Sequence, residues 1–248
     1  MNTLQMDVSL KSRINKSLIL ILLALVVCIC VHVAYVINFN SQTHIATGTE
    51  ETDGTTMDIH ARGDDTSSWV KQDLDIYGII YDGTITNNSP DLLSEWTLTI
   101  NITHDCWINQ FWNGTVEIHQ NVGTDDEVVE TVNLANYDTD TMKLEYMMDG
   151  SDLLIPLHKG DYVVYFPSDS MKEYPIEAGE ELVVGTIFYY AENLDLTNYT
   201  MEFKYHRSFT QGIGFIICVI LAILWIFILT QTQSYWRKCL ALFTGGRY

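Results

Sequence analysis

Residues 96–103, WTLTINIT, decide the fold class of the central part of this chain. Apolar side chains stand at every second position, and threonine or asparagine stands between them. Because successive side chains of a β-strand point to opposite faces, this alternation predicts a strand with one buried and one solvated face. We expect the apolar residues to lie in the core of the domain: Trp96, Leu98, Ile100 and Ile102.

The same alternation recurs near the end of the central region, in residues 199–206, YTMEFKYH. Shorter runs typical of strands lie at residues 76–86, 115–119, 128–134, 142–147, 162–166 and 182–190. Glycines between the runs are typical of turns, and no stretch of this region shows the period of a helix. Many short strands separated by turn residues predict an all-β antiparallel sandwich.

Two apolar runs without any Asp, Glu, Lys or Arg flank the strand-rich region: Leu18–Ile37, of 20 residues, and Ile213–Leu229, of 17 residues. At about 1.5 Å rise per residue, each can cross a hydrocarbon core of roughly 30 Å as an α-helix. The expected fold is therefore an all-β antiparallel sandwich ectodomain flanked by two transmembrane α-helices. A cleaved signal peptide is the alternative for the first run, but its apolar stretch is longer than the usual ~7–15 residues and no clear A-x-A site follows.

The charge distribution predicts the orientation of the helices. Residues 38–212 hold 7 of the 13 basic residues and 31 of the 32 acidic ones, a net charge of −24. Short basic flanks stay in the cytoplasm, so we expect a two-pass plasma-membrane protein with both termini inside the cell and the sandwich outside. His32, within the first run, is a functional polar group, lies near the outer interface, or faces the partner helix.

These patterns predict six parts of the chain. They are a cytoplasmic N-terminal tail (1–16), a first transmembrane helix (17–38), an extracellular stalk rich in Thr, Gly and Asp (39–68), the extracellular sandwich (69–208), a second transmembrane helix (211–230) and a basic cytoplasmic tail (231–248). The last predicted strand runs almost directly into the second helix, so a short joint at residues 207–211 connects the two.

Composition limits the partners. The acid excess disfavours nucleic acid and anionic lipid as partners. Cys106 is the one cysteine outside the apolar runs and the C-terminal tail, so no disulfide within the sandwich is expected. The acidic stretches at 125–127 and 138–140 do not match the calcium loop of an EF-hand, and we interpret them as solvated loops.

The sequence carries no enzyme signature, and we expect no catalysis. The G-x-S-x-G, P-loop and H-E-x-x-H motifs are absent. His104, Asp105 and Cys106 are adjacent in sequence and therefore point to different faces, which argues against a nucleophile cluster. Three histidines are candidate metal ligands: His104, His119 and His206. Histidines scattered over the surface are more common than a metal site, and we expect the former. We expect no catalytic residue, no metal and no cofactor.

Three blocks resemble the family 2 cellulose-binding modules: TNNSPDLLSEWTLTI (86–100), QFWNGTVEI (110–118) and IEAGEELVVGTIF (176–188). The resemblance covers residues 73–188 and is interrupted by a longer segment, 124–174. Ala178 stands where the family usually has proline.

The resemblance implies a β-sandwich in which Trp96 is a core residue and Trp112 is exposed and stacks on sugar rings, with Asn113 as a polar neighbour. Two further tryptophans, Trp107 and Trp69, are candidates to complete an aromatic strip, since the family's other aromatic positions are not matched here. The alternative is that Trp107 and Trp112 pack under the loop at 105–113.

Three functions are consistent with this organisation. The first is an extracellular sensing domain, the input half of a transmembrane signalling protein that works as a homodimer through its helices and continues into an output domain in a longer version. The second is a cell-surface tether that binds polysaccharide. The third is an accessory membrane subunit whose sandwich binds another protein. A polysaccharide or an extracellular protein is the expected ligand.

Overall fold

The structure is a computed structural model and describes residues 2–62, 69–169, 172–191 and 198–243. The chain divides into two compact units: residues 1–40 with 207–248 form a helical unit, and residues 41–206 form a β-unit. The β-unit consists mostly of antiparallel sheets, and the terminal helices are long and apolar enough to span a membrane. The expected fold class is confirmed.

Two long helices make up the helical unit: α1 spans Asn2–Asn40 and α2 spans Ile213–Phe243. Within them, Lys16–Asn40 and Ile213–Gln231 are the candidate membrane spans. Most of their large apolar side chains are exposed. A surface of Leu, Ile and Val is stable when its surroundings are hydrocarbon, so both helices suit a bilayer.

His32 of α1 packs against the segment that leads into α2. Its Nε2 lies 2.8 Å from the carbonyl oxygen of Phe209, and the centres of the two rings are 4.9 Å apart. Gly214 leaves room for the imidazole, because a Cβ at this position would overlap the ring. Only 4% of the His32 surface is exposed. Of the alternatives for His32, the structure shows a side chain that faces the start of α2 at Gly214 and makes its polar contact with the segment just before that helix.

A second set of contacts joins the last turns of α1 to Arg207. The Asn40 side chain accepts a hydrogen bond from the Arg207 N–H at 2.8 Å and donates one to its carbonyl at 3.2 Å. The Arg207 guanidinium donates to the Tyr35 hydroxyl at 2.6 Å and lies 3.9 Å from the centre of the Phe39 ring. A cation on aromatic rings at the end of an apolar helix suits a membrane–water interface.

One large sheet of the β-unit has six described strands. They are β1 (His44–Thr47), β5 (Leu92–Asn101), β7 (Thr115–Gln120), β8 (Val128–Val132), β11 (Tyr162–Phe166) and β15 (Tyr199–His206). Their order across the six-stranded sheet is β1-β15-β5-β11-β7-β8, and the pairs are antiparallel.

The other large sheet has seven described strands. They are β2 (Thr55–Ala61), β3 (Trp69–Lys71), β4 (Ile76–Asn87), β6 (Cys106–Trp112), β9 (Met147–Asp149), β10 (Asp152–Leu157) and β14 (Glu181–Tyr190). The order of the seven-stranded sheet is β2-β4-β14-β6-β10-β9, with β3 paired to the first residues of β4. A separate hairpin joins β12 (Ser168–Asp169) to β13 (Lys172–Glu173).

The two large sheets pack face to face around one core. Phe111 of β6 stacks on Tyr165 of β11 with 4.2 Å between ring centres. The Tyr199 hydroxyl of β15 donates to the Met57 carbonyl of β2 at 2.7 Å, and burial raises the pKa of Tyr199 to about 12, so the hydroxyl keeps its proton at neutral pH. Three alternating residues of β5 and the residue just after the strand lie in this core with at most 3% of their surface exposed: Trp96, Leu98, Ile100 and Ile102.

The stretch predicted as a stalk, residues 39–68, contributes two strands to the sandwich. β1 pairs with β15, and β2 pairs with β4 over seven residues. Ala46 and Met57 are each 1% exposed, and His44 lies 2.7 Å from the Asp53 carboxylate between the two strands. The prediction of a stalk is therefore wrong for these strands. Their composition is that of a linker, but backbone pairing with neighbouring strands and a few inward side chains are enough to hold them in the sheets. Residues 63–68 lie outside the described part.

The predicted strand at residues 142–147 is mostly a loop. The carboxylate of Glu130 in β8 accepts hydrogen bonds from the N–H groups of Lys143 and Leu144 at 2.7 and 3.2 Å. Leu144 is 3% exposed, so this loop packs against the core beside β8. The Glu130 carboxylate thus accepts hydrogen bonds from backbone N–H groups that the carbonyls of a neighbouring strand would otherwise accept.

The contact between His32 and Gly214 generates a stability prediction. We expect Gly214→Val to destabilise the helix pair by about 1–3 kcal/mol, since the added methyl groups displace the buried imidazole. Thermal unfolding of the full chain in detergent micelles, followed by circular dichroism, measures this. Cys30→Val enlarges an exposed position of α1 and serves as the control. Equal unfolding temperatures for the two variants would contradict the prediction.

Candidate functional site

The outer faces of the two large sheets, those turned away from the shared core, differ in chemistry. On the six-stranded sheet, the outward positions of β5 and β15 carry polar residues, among them Thr97, Thr99 and Glu202. On the seven-stranded sheet, the outward positions of the central strands β14 and β6 include tryptophan, tyrosine and aliphatic residues. Part of this apolar surface, the half-buried rings of Trp107 and Trp112, reaches solvent, and partly exposed aromatic groups are typical of recognition surfaces, so the seven-stranded sheet carries the candidate site.

A β-bulge in β6 places Trp107 and Trp112 on this same outer face. Trp107 pairs with Tyr189 of β14 and Trp112 pairs with Gly185, while Asn109 has no partner in the register. Paired residues lie on the same face, so both tryptophans share the face of Tyr189 and Gly185. Their partners are four residues apart, which corresponds to about 13 Å along the sheet.

Asn109 fixes the position of the bulge. Its side chain is 4% exposed, and its Nδ2 donates to the Leu153 carbonyl of β10 at 2.7 Å. A bulge inserts one residue and reverses which face the following side chains occupy. Trp112 lies five positions after Trp107, so without the insertion the two would lie on opposite faces.

Gly185 positions the indole of Trp112. A Cβ on Gly185 would overlap the six-membered ring and the indole nitrogen, so the ring lies directly over this glycine. Asp82 of β4 is the next residue across the sheet, paired with Gly185. The missing side chain therefore lets the indole extend across β14 toward β4.

An ion pair borders the Trp112 ring. The Arg62 guanidinium donates to the Asp82 carboxylate through Nε at 2.8 Å and through a terminal nitrogen at 2.5 Å, and its centre lies 5.5 Å from the centre of the indole. The hydrogen bond from Arg62 holds the pKa of Asp82 below its usual range, so Asp82 is ionised at neutral pH. Donors and an acceptor thus lie next to an aromatic face.

Trp107 packs on a small apolar cluster on the same face. Its neighbours are Ile76, Leu154 and Tyr189, each at most 3% exposed, and Ile187 packs against the same cluster. This contact fixes the Trp107 ring and leaves it half-buried. The packing takes place on the outer face of the seven-stranded sheet rather than under the loop at 105–113.

Lys71 of β3 borders the cluster. Its Nζ donates to Asp149 of β9 and, at 2.8 Å, to Asp152 of β10, and it lies 5.2 Å from the centre of the Tyr189 ring. Burial opposes the charge of Lys71, but the two carboxylates outweigh it and raise the pKa above its ordinary value. The ion pairs join β3 to the β9–β10 hairpin at one end of the aromatic face.

The remaining predicted site residues have different environments. Asn113 is exposed at the turn after β6, with a φ of 66°, and its carbonyl accepts a hydrogen bond from the Tyr165 hydroxyl at 2.6 Å. The backbone of Trp69 pairs with Gly78 of β4, but its side chain lies outside the described part. Strand β6 and the turn after it thus hold three of the predicted site residues: Trp107, Trp112 and Asn113.

Sequence reasoning missed Arg62, Asp82 and Gly185. Gly185 lies in a strand, where a glycine marks a close approach of another group, and this signal was available. Nothing in the sequence indicated that Arg62 and Asp82 are neighbours, since their pairing follows from the register of β2 with β4.

The nucleophile and metal alternatives have no geometric support among the described residues. Burial raises the pKa of the Cys106 thiol to about 12, so the reactive thiolate is scarce at neutral pH, and His104 and Asp105 are exposed. His119 lies 2.8 Å from the Glu117 carboxylate and stacks on Tyr162. In the part of the chain that the structure describes, no three His, Cys, Asp or Glu residues are placed to hold a metal ion.

Comparisons with known proteins give weak likenesses. No protein-family model and no curated protein matches the chain. The chitin-binding domain of a hyperthermophilic chitinase from Pyrococcus furiosus aligns with a TM-score of 0.31 at 13% identity, over 64% of this chain and 99% of that one. The CBM3 of Hungateiclostridium clariflavum aligns at 0.27 and 10%, over 62% and 95%.

Vicilin from Solanum lycopersicum (tomato) aligns with a TM-score of 0.25 at 10% identity, over 63% of this chain and 31% of that one. TM-scores this low do not indicate what the chain binds. The resemblance to the family 2 cellulose-binding modules therefore stays an expectation that depends on the residues that carry it.

The role of Asn109 generates a prediction. We expect Asn109→Asp to destabilise the β-unit by about 1–3 kcal/mol, because a carboxylate would replace the buried donor and face the Leu153 carbonyl. The same chemical change at the exposed neighbour, Gln110→Glu, should change the free energy of unfolding by less than ~0.5 kcal/mol. Urea unfolding of both variants of the full chain measures the difference, and equal midpoints would contradict the assignment.

Proposed function

We propose that this chain is a membrane-anchored carbohydrate-recognition protein that binds polysaccharide on the outer face of the seven-stranded sheet. The observation that carries the proposal is the placement of Trp107 and Trp112 on one sheet face, about 13 Å apart along the sheet. Two fixed aromatic groups at this spacing suit a polymer whose successive rings contact both. The proposal concerns binding and not catalysis.

The chemistry of the face suits sugar rings. The flat apolar ring of an indole packs against the C–H face of a pyranose, and it contributes a large contact area with little conformational entropy to lose. Hydroxyl groups at the rim of a sugar need both donors and acceptors. Arg62, Asp82 and the exposed side chains of Gln110 and Asn113 supply both kinds of group beside Trp112.

The charge of the chain favours an uncharged polysaccharide. A net charge of −19 repels polyanions at long range, and Arg62 is already paired with Asp82. A neutral glycan is not repelled, and it can bind through stacking and hydroxyl contacts alone. We therefore expect neutral polysaccharides to bind and acidic ones to bind weakly or not at all.

The helices define the cellular setting of the proposal. We propose that both cross the membrane with the termini in the cytoplasm and the sandwich outside, because the two tails carry an excess of basic residues whereas residues 38–212 carry a net charge of −24. The contacts of His32 and Asn40 with the segment before α2 make the helix pair one packed body. We further propose that the chain is the input half of a signalling receptor, with a homodimer as its working form; a tether without signalling is the alternative.

Removal of the Trp112 ring tests the proposal directly. We expect Trp112→Ala to lower retention of the full chain, in nanodiscs, on insoluble neutral polysaccharides by at least tenfold, since each stacked ring contributes strongly to binding. Tyr162→Ala removes an aromatic ring from the outer face of the other sheet and should bind like the wild type. Absence of retention on cellulose, chitin, xylan and mannan, or equal retention of the two variants, would exclude this face as a glycan site.

The proposed orientation generates a separate prediction. A cysteine introduced at the exposed Asn113, in a chain whose other cysteines are replaced by serine or alanine, should react with a membrane-impermeant maleimide on intact cells. A cysteine at Ser9, in the N-terminal tail, should react only after the cells are lysed. Reaction of both positions on intact cells, or of Ser9 alone, would contradict the two-pass topology.

A further inference from the structure

The edge strand β8, on the six-stranded sheet, has an unoccupied side. β8 is last in the order of the sheet and pairs with β7 through five consecutive residues without a bulge. Among the described residues, no other backbone hydrogen bond reaches Val128–Val132. An edge strand in this state presents free N–H and C=O groups to any extended chain.

Natural edge strands are usually protected by charge, proline, a bulge or very short length. The sequence of β8, VVETV, contains neither proline nor lysine, and Val129, its second residue, is 49% exposed. By contrast, the exposed side chains of the edge strand β2 include Asp58 and His60, which are polar. β8 thus has no proline, lysine or bulge on its edge, and its one charged side chain, Glu130, is bound to the loop at 143–144 and does not project from the open side.

Glu130 holds β8 in a fixed shape. Its side chain points toward the inner side of the sheet, where the carboxylate binds the N–H groups of Lys143 and Leu144. Val129 and Thr131 occupy the opposite face of β8 and are exposed. The acceptor strand is therefore formed before any partner arrives, which lowers the entropy cost of adding a strand.

The surroundings of β8 are acidic. Residues 121–148 contain seven acidic residues and one lysine. Asp125 and Asp126, in the turn that leads into β8, are exposed. This charge attracts a cationic segment and repels an acidic one, and it raises the association rate with a partner of opposite charge.

We propose that β8 accepts an extended segment of a partner protein in which apolar and basic residues alternate, and that this segment adds a strand to the six-stranded sheet. Main-chain hydrogen bonds along β8 provide the affinity, an apolar side chain of the partner contacts Val129, and its lysines or arginines face the acidic turn. A second copy of this chain is a poor occupant, because pairing β8 with itself would bring two acidic segments together. The inference is independent of the glycan-binding face, which lies on the other sheet.

The experiment uses the full chain in phosphatidylcholine nanodiscs and a fluorescent peptide, acetyl-VKVKVKVK-amide, as the probe. We expect saturable binding by fluorescence anisotropy, weaker binding as salt is raised, and no binding of VEVEVEVE. Val129→Lys, which places a cation on the edge, should lower the affinity for VKVKVKVK at least tenfold. Val183→Lys is the matched control, since Val183 is 47% exposed on the outer face of the other sheet, and it should change the affinity less than twofold.

Three outcomes would overturn the proposal. They are absence of saturable binding of VKVKVKVK, equal effects of Val129→Lys and Val183→Lys, and a dimer in analytical ultracentrifugation that Val129→Lys dissociates, which would make a second copy the occupant.

Asp125→Asn with Asp126→Asn should weaken peptide binding while the unfolding midpoint stays unchanged, and an unchanged affinity would remove the electrostatic argument. Val129→Lys should retain polysaccharide binding at the wild-type level, so failure of one proposal is distinguishable from failure of the other.

Discussion

The period of two in a β-strand constrains the candidate site. Trp107 and Trp112 are an odd number of positions apart in the sequence, and a regular strand would put them on opposite faces. The unpaired Asn109 changes this parity, and its side chain is bound to a carbonyl of β10, 44 residues further along the chain. The aromatic face therefore depends on a buried amide that contacts no ligand itself, so changes in β10 can affect the site as much as changes in β6.

The seven-stranded sheet carries large apolar groups on both faces, whereas the outer face of a sandwich sheet is usually polar. Its inner face contributes Ile108 and Phe111 to the core, and its outer face carries the cluster around Tyr189. Trp107 is fixed by that cluster, and Trp112 is fixed by the close approach over Gly185. Because both rings are positioned by packing in the free protein, a ligand would bind without paying the full entropy cost of ordering them.

The sequence predicted local features well and long-range ones poorly. Alternation in β5 identified which side chains are buried, because it depends only on neighbours along the strand. The segment holding β1 and β2 was taken for a stalk, since short strands with small or polar residues differ little from a linker until their partners are known. Trp107 and Trp112 share a face because of a bulge, and Arg62 meets Asp82 because of the register between two strands. Both the bulge and the register are set by residues far away in sequence, and no local pattern encodes either.

The distribution of charge separates the two proposed surfaces. Asp82 is paired with Arg62, and Asp149 and Asp152 are paired with Lys71, so much of the acid on the aromatic face is compensated locally. The acid around β8 has one lysine among seven acidic residues and stays largely uncompensated. An uncharged polymer gains nothing from an electric field and binds where apolar contact is available, whereas a cationic segment gains from the field and binds where acid is in excess. We therefore expect the two proposed surfaces to select different ligands, with occupation of one leaving the chemistry of the other unchanged.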